Sequence, residues 1–305
     1  MYVVTGATGH TGTIIAKRLL AQGKKVRVLG RTMERLGSLV SLGAEPFVAD
    51  VSNKEAMAMA FGGAEAAYVM IPPNLANPDY AAYQDEVIEA VASGIEKGMP
   101  GHVVALSSFG ADKPDKSGPI AGLHRMEERL KRISGLNALY LRAGYFMENT
   151  LAQAFVIQQM GVTAGPLNPD LKIPMIATRD IGTFAADELL GVKFRGHQTQ
   201  ELLGQRDISM TEVAAAIGRA IGRPDLQYRQ IGYDQFRGFL MQMGTSQRMA
   251  DMVVEMAEAQ NSGYVRALEA RSQRNTTPTS YEEFVAEEFV PGYQASSAGA
   301  TSPRA

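Results

Sequence analysis

Along the first half of the chain, short apolar runs alternate with stretches whose apolar residues recur at helical spacing, and glycines punctuate the joins. Residues 2–5 form one such run, which breaks into glycines, and residues 14–21 then present a helical apolar face up to Gly23. The unit repeats. Strands are predicted at residues 26–29, 46–49, 66–71, 102–107 and 138–142, with helices at 33–42, 53–60, 80–96 and 119–133 between them. Strands alternating with helices in this way require right-handed βαβ crossovers and a parallel sheet covered on both faces.

Beyond residue 144 the alternation weakens. Gly, Pro and Asn cluster at residues 161–174, which predicts an irregular connection. Residues 211–221 read as a helix capped by Ser209 or Thr211, and residues 233–270 as mostly helical and rich in Met. The expected organisation is an α/β domain at 1–144, a smaller, mostly helical lobe at 145–294 with segments returning to the sheet, and a disordered tail at 295–305.

Composition narrows the function. Apolar residues make up 45% of the chain and charged residues 20%, an ordinary balance for a globular protein. A formal charge of −2 and the lack of any long Lys/Arg run argue against nucleic acid as a partner. There is no cysteine, which removes disulfides, thiol nucleophiles and iron–sulfur clusters and suits a reducing, cytoplasmic location. His10, His102, His124 and His197 have no metal-ligand spacing, so no metal is expected. No apolar stretch is long enough to predict a membrane span, and no leader is predicted.

The sharpest motif follows the first strand. Gly6-Ala7-Thr8-Gly9-His10-Thr11-Gly12 lies between a predicted strand and a predicted helix, the setting in which a glycine pattern binds phosphate. Gly6 permits the tight turn, Gly9 lets backbone approach a pyrophosphate and Gly12 lets helix pack on strand, while N–H groups at the helix start face the negative charge. Thr8, His10 and Thr11 add side-chain donors. The fold class expected is therefore a Rossmann-type, doubly wound parallel sheet with a nicotinamide dinucleotide as ligand. Arg31 ends the second strand and Arg35 follows one helical turn later, with no acid before Glu34. Cations there pair with a 2′-phosphate, which favours NADP(H) over NAD(H), although two solvated arginines would read the same.

The glycine spacing, GxxGxxG, is that of short-chain dehydrogenases/reductases, and the chain resembles their atypical NmrA-like branch. The resemblance is carried by GATGHTG at the turn, VMIPPN at 69–74, HVVALSSFGAD at 102–112, HRMEERLKRISGL at 124–136, LYLRAGYFMEN at 139–149, TRDIG at 178–182 and LLGQRDISMTEVAAAIGRAIGR at 202–223. It implies that Asp50 and Val51 lie beside the adenine and that Ile71 and Pro72 line the nicotinamide half. Asp50 could equally cap a helix.

Most members of the wider superfamily protonate a carbonyl with a Tyr followed four residues later by Lys. None of the eleven tyrosines here has that lysine. Ser107 and Ser108 close the fifth strand one position before the epimerase-type catalytic hydroxyl, where this chain has Phe109, so their hydroxyls are expected to bond backbone or cofactor. His124 falls where isoflavone-reductase-like relatives carry a catalytic lysine, and an imidazole could donate a proton near neutral pH. A packed or surface histidine is the plainer reading. Glu127 and Glu128 would orient it or face water. Tyr145, Phe146 and Asn149 follow the sixth strand, at the edge where open α/β folds bind substrate, or serve as core and cap.

Two functions remain in contention. One is an NADPH-dependent reductase of quinone-like or azo-aromatic molecules, which need hydride more than a strong general acid, with Met-rich helices supplying an apolar pocket. The other is a non-catalytic regulator that senses NAD(P) and binds a partner protein. Nucleotide-sugar epimerisation ranks last because it needs the missing Tyr–Lys pair.

Overall fold

A computed structural model describes residues 1–300, with side chains described as far as residue 295. Six strands come from the first half: β1 (Tyr2–Val4), β2 (Val26–Gly30), β3 (Glu45–Val48), β4 (Ala66–Val69), β5 (His102–Ser108) and β6 (Asn137–Ala143). A seventh, β10 (His197–Leu202), returns from the second half to pair β6. The sheet runs β10-β6-β5-β4-β1-β2-β3 with every neighbouring pair parallel.

Alternate residues along each strand supply two cores. Val4, Val28, Tyr68, Val104 and Leu141 face α1 (His10–Ala21), α2 (Met33–Val40) and α7 (Thr178–Gly191), where they meet Ile15, Leu19, Leu36 and Leu189. Val3, Leu29, Val69, Ala105 and Tyr140 face the other way, onto Met57, Val87, Val91 and Met126 of α3 (Lys54–Ala60), α4 (Tyr80–Gly98) and α5 (Ile120–Lys131). Strands buried on both faces account for the continuous apolar runs. The strand order reverses between β1 and β4, and open α/β sheets bind ligands beyond the carboxyl ends of such a switch point.

The remaining elements build the lobe. A 3₁₀ stretch, Met147–Ala152, leads into α6 (Gln153–Met160). Residues 161–174 depart from the irregular connection expected, because β8 (Thr163–Gly165) and the start of β9 (Ile173–Ile176) lie within them. β8 pairs β12 (Tyr228–Gln230), while β9 joins β7 (Tyr145–Phe146) and β11 (Asp207–Ile208). Strands this short, in glycine- and proline-bearing sequence, leave no periodicity to read. Ser209 caps α8 (Met210–Ala220) in a reciprocal capping box with Glu212.

Residues 233–270 are helical only in part. α9 (Tyr233–Gln242) and α10 (Gln247–Asn261) form a hairpin, after which the chain runs back toward the sheet. The buried Glu201 carboxylate holds that return by accepting the N–H groups of Leu268 and Glu269, and Asp180 accepts from Thr279. α11 (Tyr281–Phe284), a π-helical turn and α12 (Val290–Ala300) then close the lobe's core with Tyr281, Phe284 and Phe289. The helix takes in residues 295–300, expected to be tail. The rest of that expected tail lies outside the described residues.

Candidate functional site

The glycine turn sits at the switch point. Gly6 has φ +59°, and a Cβ there would lie 2.7 Å from the Met70 sulfur, at the end of β4. A Cβ on Gly12 would come 2.3 Å from the Gly6 carbonyl oxygen, so neither position admits a side chain. Gly9 N–H donates to Gly6 O at 2.9 Å and closes the turn. Gly9 is also the N-cap of α1, and with no side chain it leaves that helix start without a side-chain cap. α2, α3 and α4 are capped by Thr32, Asn53 and Asp79. Only the helix start facing the crevice among these four is left open, which suits an anionic ligand.

Side chains around the turn divide. Thr8 and His10 are exposed beside the open helix start. Thr11 is buried, and its hydroxyl shares a 2.8 Å hydrogen bond with the Tyr68 phenol. Its side chain thus packs into the core, and in that bond either hydroxyl can be the donor. Arg31 and Arg35 are exposed, and among the described residues neither guanidinium has an ion pair or hydrogen bond. Arg31 and Asp50 both act electrostatically on the Tyr83 phenol, whose pKa burial raises. Asp50 accepts from the Ser52 N–H and hydroxyl, and Asn53 caps α3 in its place. Val51 and Ile71 are buried and Pro72 half-buried after their strands.

At the end of β5 the outcome differs from expectation. Ser107 donates to Glu127 Oε1 at 2.6 Å, and Glu127 takes two further bonds from Arg142, at 2.9 and 2.6 Å. Glu127 is fully buried and orients Arg142 and Ser107, not His124. The Ser107 hydroxyl therefore gives its one proton to a carboxylate, and only its lone pairs are left for backbone or cofactor. His124 is half-buried on α5, with Nδ1 2.9 Å from the Ala111 carbonyl. A carbonyl only accepts, so this contact puts the neutral ring's proton on Nδ1 and leaves Nε2 bare.

Beside the end of β6 opens a cavity of about 660 Å³, mostly apolar. Tyr145 and Asn149 line it; Phe146 does not, because one residue along an extended segment it turns to the sheet core. His124 is not part of the lining. α9 contributes Phe236, Phe239 and Leu240, and α10 contributes Met256, Ala257 and Gln260. The hairpin is fastened to the loop after β4 by Ser246, whose N–H and hydroxyl donate to the Leu75 and Asn77 carbonyls at 2.9 and 2.6 Å. α10 buries six residues, Met249, Ala250, Val254, Ala257, Ala259 and Gln260, whereas α9 buries none. α9 is thus a cover whose apolar face meets the cavity.

Residues 2–285 match the NmrA-like family. The chain belongs to that family. This NmrA-like protein is 31% identical, over 86% of its length and 88% of the relative's, to a (4-alkanoyl-5-oxo-2,5-dihydrofuran-3-yl)methyl phosphate reductase of Streptomyces griseus subsp. griseus. It is 27% identical, over 84% and 86% of the two lengths, to an NAD(P)H azoreductase of Xenophilus azovorans. Its fold superposes with a TM-score of 0.78 on NADPH-dependent quinone oxidoreductase QOR2 of Escherichia coli complexed with NADPH, at 23% identity, covering 95% of this chain and all of that one.

Among the described residues, no group of three or more His, Cys, Asp or Glu is placed to hold a metal, and no helix is long and apolar enough to cross a membrane. Two parts of the NmrA-like site escaped the sequence reading. Glu127 was visible only as half of an acidic pair, and nothing in its spacing named Arg142 as its partner. Gln260 looked like an ordinary helical glutamine and is 3% exposed.

Proposed function

We propose that this NmrA-like protein is an NADPH-dependent reductase of quinone-like or azo-aromatic molecules. The observation that carries the reading is the large, mostly apolar cavity at the carboxyl edge of the same sheet whose switch point holds the open glycine turn.

The residues fit the cofactor. The glycine turn and the uncapped start of α1 take the pyrophosphate, with Thr8, His10 and the Thr11 N–H beside it. Arg31 and Arg35, with no ion pair or hydrogen bond at either guanidinium among the described residues, take the 2′-phosphate and favour NADP(H) over NAD(H). Asp50 and Val51 flank the adenine, and Ile71 and Pro72 the nicotinamide half. When bound, the reduced nicotinamide supplies a hydride. The acceptor gains that hydride and one proton, ending as hydroquinone or hydrazine, and the cofactor is left oxidised. The mostly apolar cavity would orient a flat acceptor, with Tyr145 and Asn149 on its wall.

His124 is the candidate proton source, and because it does not line the cavity its proton would reach the acceptor through an intervening water. With Nδ1 held by Ala111, it donates from Nε2 only as the imidazolium. Replacing His124 with Ala lowers turnover and leaves NADPH binding unchanged in this reading; equal turnover in the variant removes His124 from the mechanism.

The reading is tested by NADPH consumption across a panel of quinones and azo compounds, with cofactor binding measured by calorimetry on the same preparation. Consumption well above the protein-free rate is expected. Tight cofactor binding with no consumption on any acceptor would favour the regulator and direct the search to a partner protein.

A further inference from the structure

The cavity carries chemical information beyond its size. Among the described residues, its lining includes no Lys, Arg, His, Asp or Glu. Its polar groups are phenols and side-chain amides, and several of these are already engaged. Gln153 bonds the Ala164 backbone through both ends of its amide, and the Tyr228 phenol donates to the Leu167 carbonyl.

Two groups on the inner wall are not engaged. Gln260 is 3% exposed, among the described residues neither atom of its amide has a hydrogen-bond partner, and it faces the cavity from α10. Tyr145 faces it from β7, and among the described residues nothing hydrogen-bonds its hydroxyl. Burial pushes that phenol up to about 12, so it stays protonated and can donate. An amide and a phenol that face the cavity without protein partners are open to a ligand that accepts from or donates to them.

We propose that the cavity selects uncharged carbonyl-bearing acceptors, with Gln260 and Tyr145 as their hydrogen-bonding anchors, and rejects acceptors that carry a phosphate, sulfonate or carboxylate. An anion there would lose its hydration and meet no counter-charge. The inference rests on the reductase reading and separates this chain's acceptor from the phosphate ester in its Streptomyces relative's name.

The test is calorimetric binding of 1,4-naphthoquinone and of its 2-sulfonate to the full chain saturated with NADP⁺, where no reduction competes. The absence of cysteine removes thiol addition to the quinone. The neutral quinone is expected to bind at least about a hundredfold more tightly than the sulfonate. Tyr145→Phe and Gln260→Met should each weaken the neutral quinone roughly tenfold while leaving NADP⁺ affinity unchanged. Gln260→Lys should narrow or invert the preference, which a merely structural role would not do. Should Gln260→Lys fail to fold, the isosteric Tyr145→Phe still decides. Equal or tighter binding of the sulfonate overturns the inference and leaves the reductase reading standing. Binding of neither compound, with no NADPH consumption, overturns both.

Discussion

The glycine turn and the cavity lie at one sheet edge but are made of different material. The turn is backbone: Gly6 and Gly12 matter for what they lack, and the start of α1 has no side-chain cap over its N–H groups. The cavity is side chain, gathered from β7, α6, the lobe's short strands and the α9–α10 hairpin. A backbone site is rigid and tolerates almost no substitution at its glycines. A side-chain site can be retuned residue by residue, and the relatives are named for acceptors as different as a furanone phosphate, an azo compound and a quinone.

The largest effect should come from the turn. Gly12→Val places carbon against the Gly6 carbonyl, and overpacking of this kind costs about 1–3 kcal/mol while blocking phosphate approach. Calorimetry should find NADPH binding lost; an unchanged affinity would break the contrast between the two sites. Beneath the sheet edge, Glu127→Ala strands the half-buried Arg142 and should cost about 3–5 kcal/mol in urea unfolding. Replacing Glu127 and Arg142 together with Leu and Met should recover much of that loss, because no lone charge remains.

A smaller effect tests the adenine end. Arg31→Ala should weaken NADPH roughly tenfold and leave NADH affinity unchanged, since only the 2′-phosphate contact goes. Equal losses for both cofactors would show that Arg31 acts on the turn rather than on the phosphate. The smallest effect concerns a helix start that is closed where α1 is open. The Lys172 ammonium, with the Ser209 N–H, holds the Glu212 carboxylate near 2, below its ordinary 4.5. A depressed acid stabilises the fold above its unfolded pKa and loses that contribution as pH falls from about 4.5 toward 2. The Glu212 side chain is more than a third exposed, so Glu212→Gln should remove less than about 1 kcal/mol at neutral pH and flatten that acid limb.

The same contrast explains what could be read from the sequence. The sheet was legible because strands buried on both faces and helices with one apolar face leave strong periodicities, and because the turn's glycines are local in sequence. β10 was harder: it joins the sheet from residues far downstream, and nothing local announces its partner. The short strands inside residues 161–174 fell below the length at which alternation registers. Side-chain commitments were the least legible. Thr11 pairs with Tyr68 and Ser107 with Glu127 across long sequence separations, so hydroxyls that looked free were engaged. Phe146 and Tyr145 are adjacent and polar-edge in sequence, but strand geometry sends them to opposite sides.

The central claim is that the turn and the cavity act together in hydride transfer. Its most direct test is the oxidation of NADPH by 1,4-naphthoquinone, followed with cofactor carrying protium or deuterium at the transferred position of nicotinamide C4. The account predicts consumption that saturates in quinone and slows with deuterium. Firm NADPH binding with no consumption above the protein-free rate would contradict it.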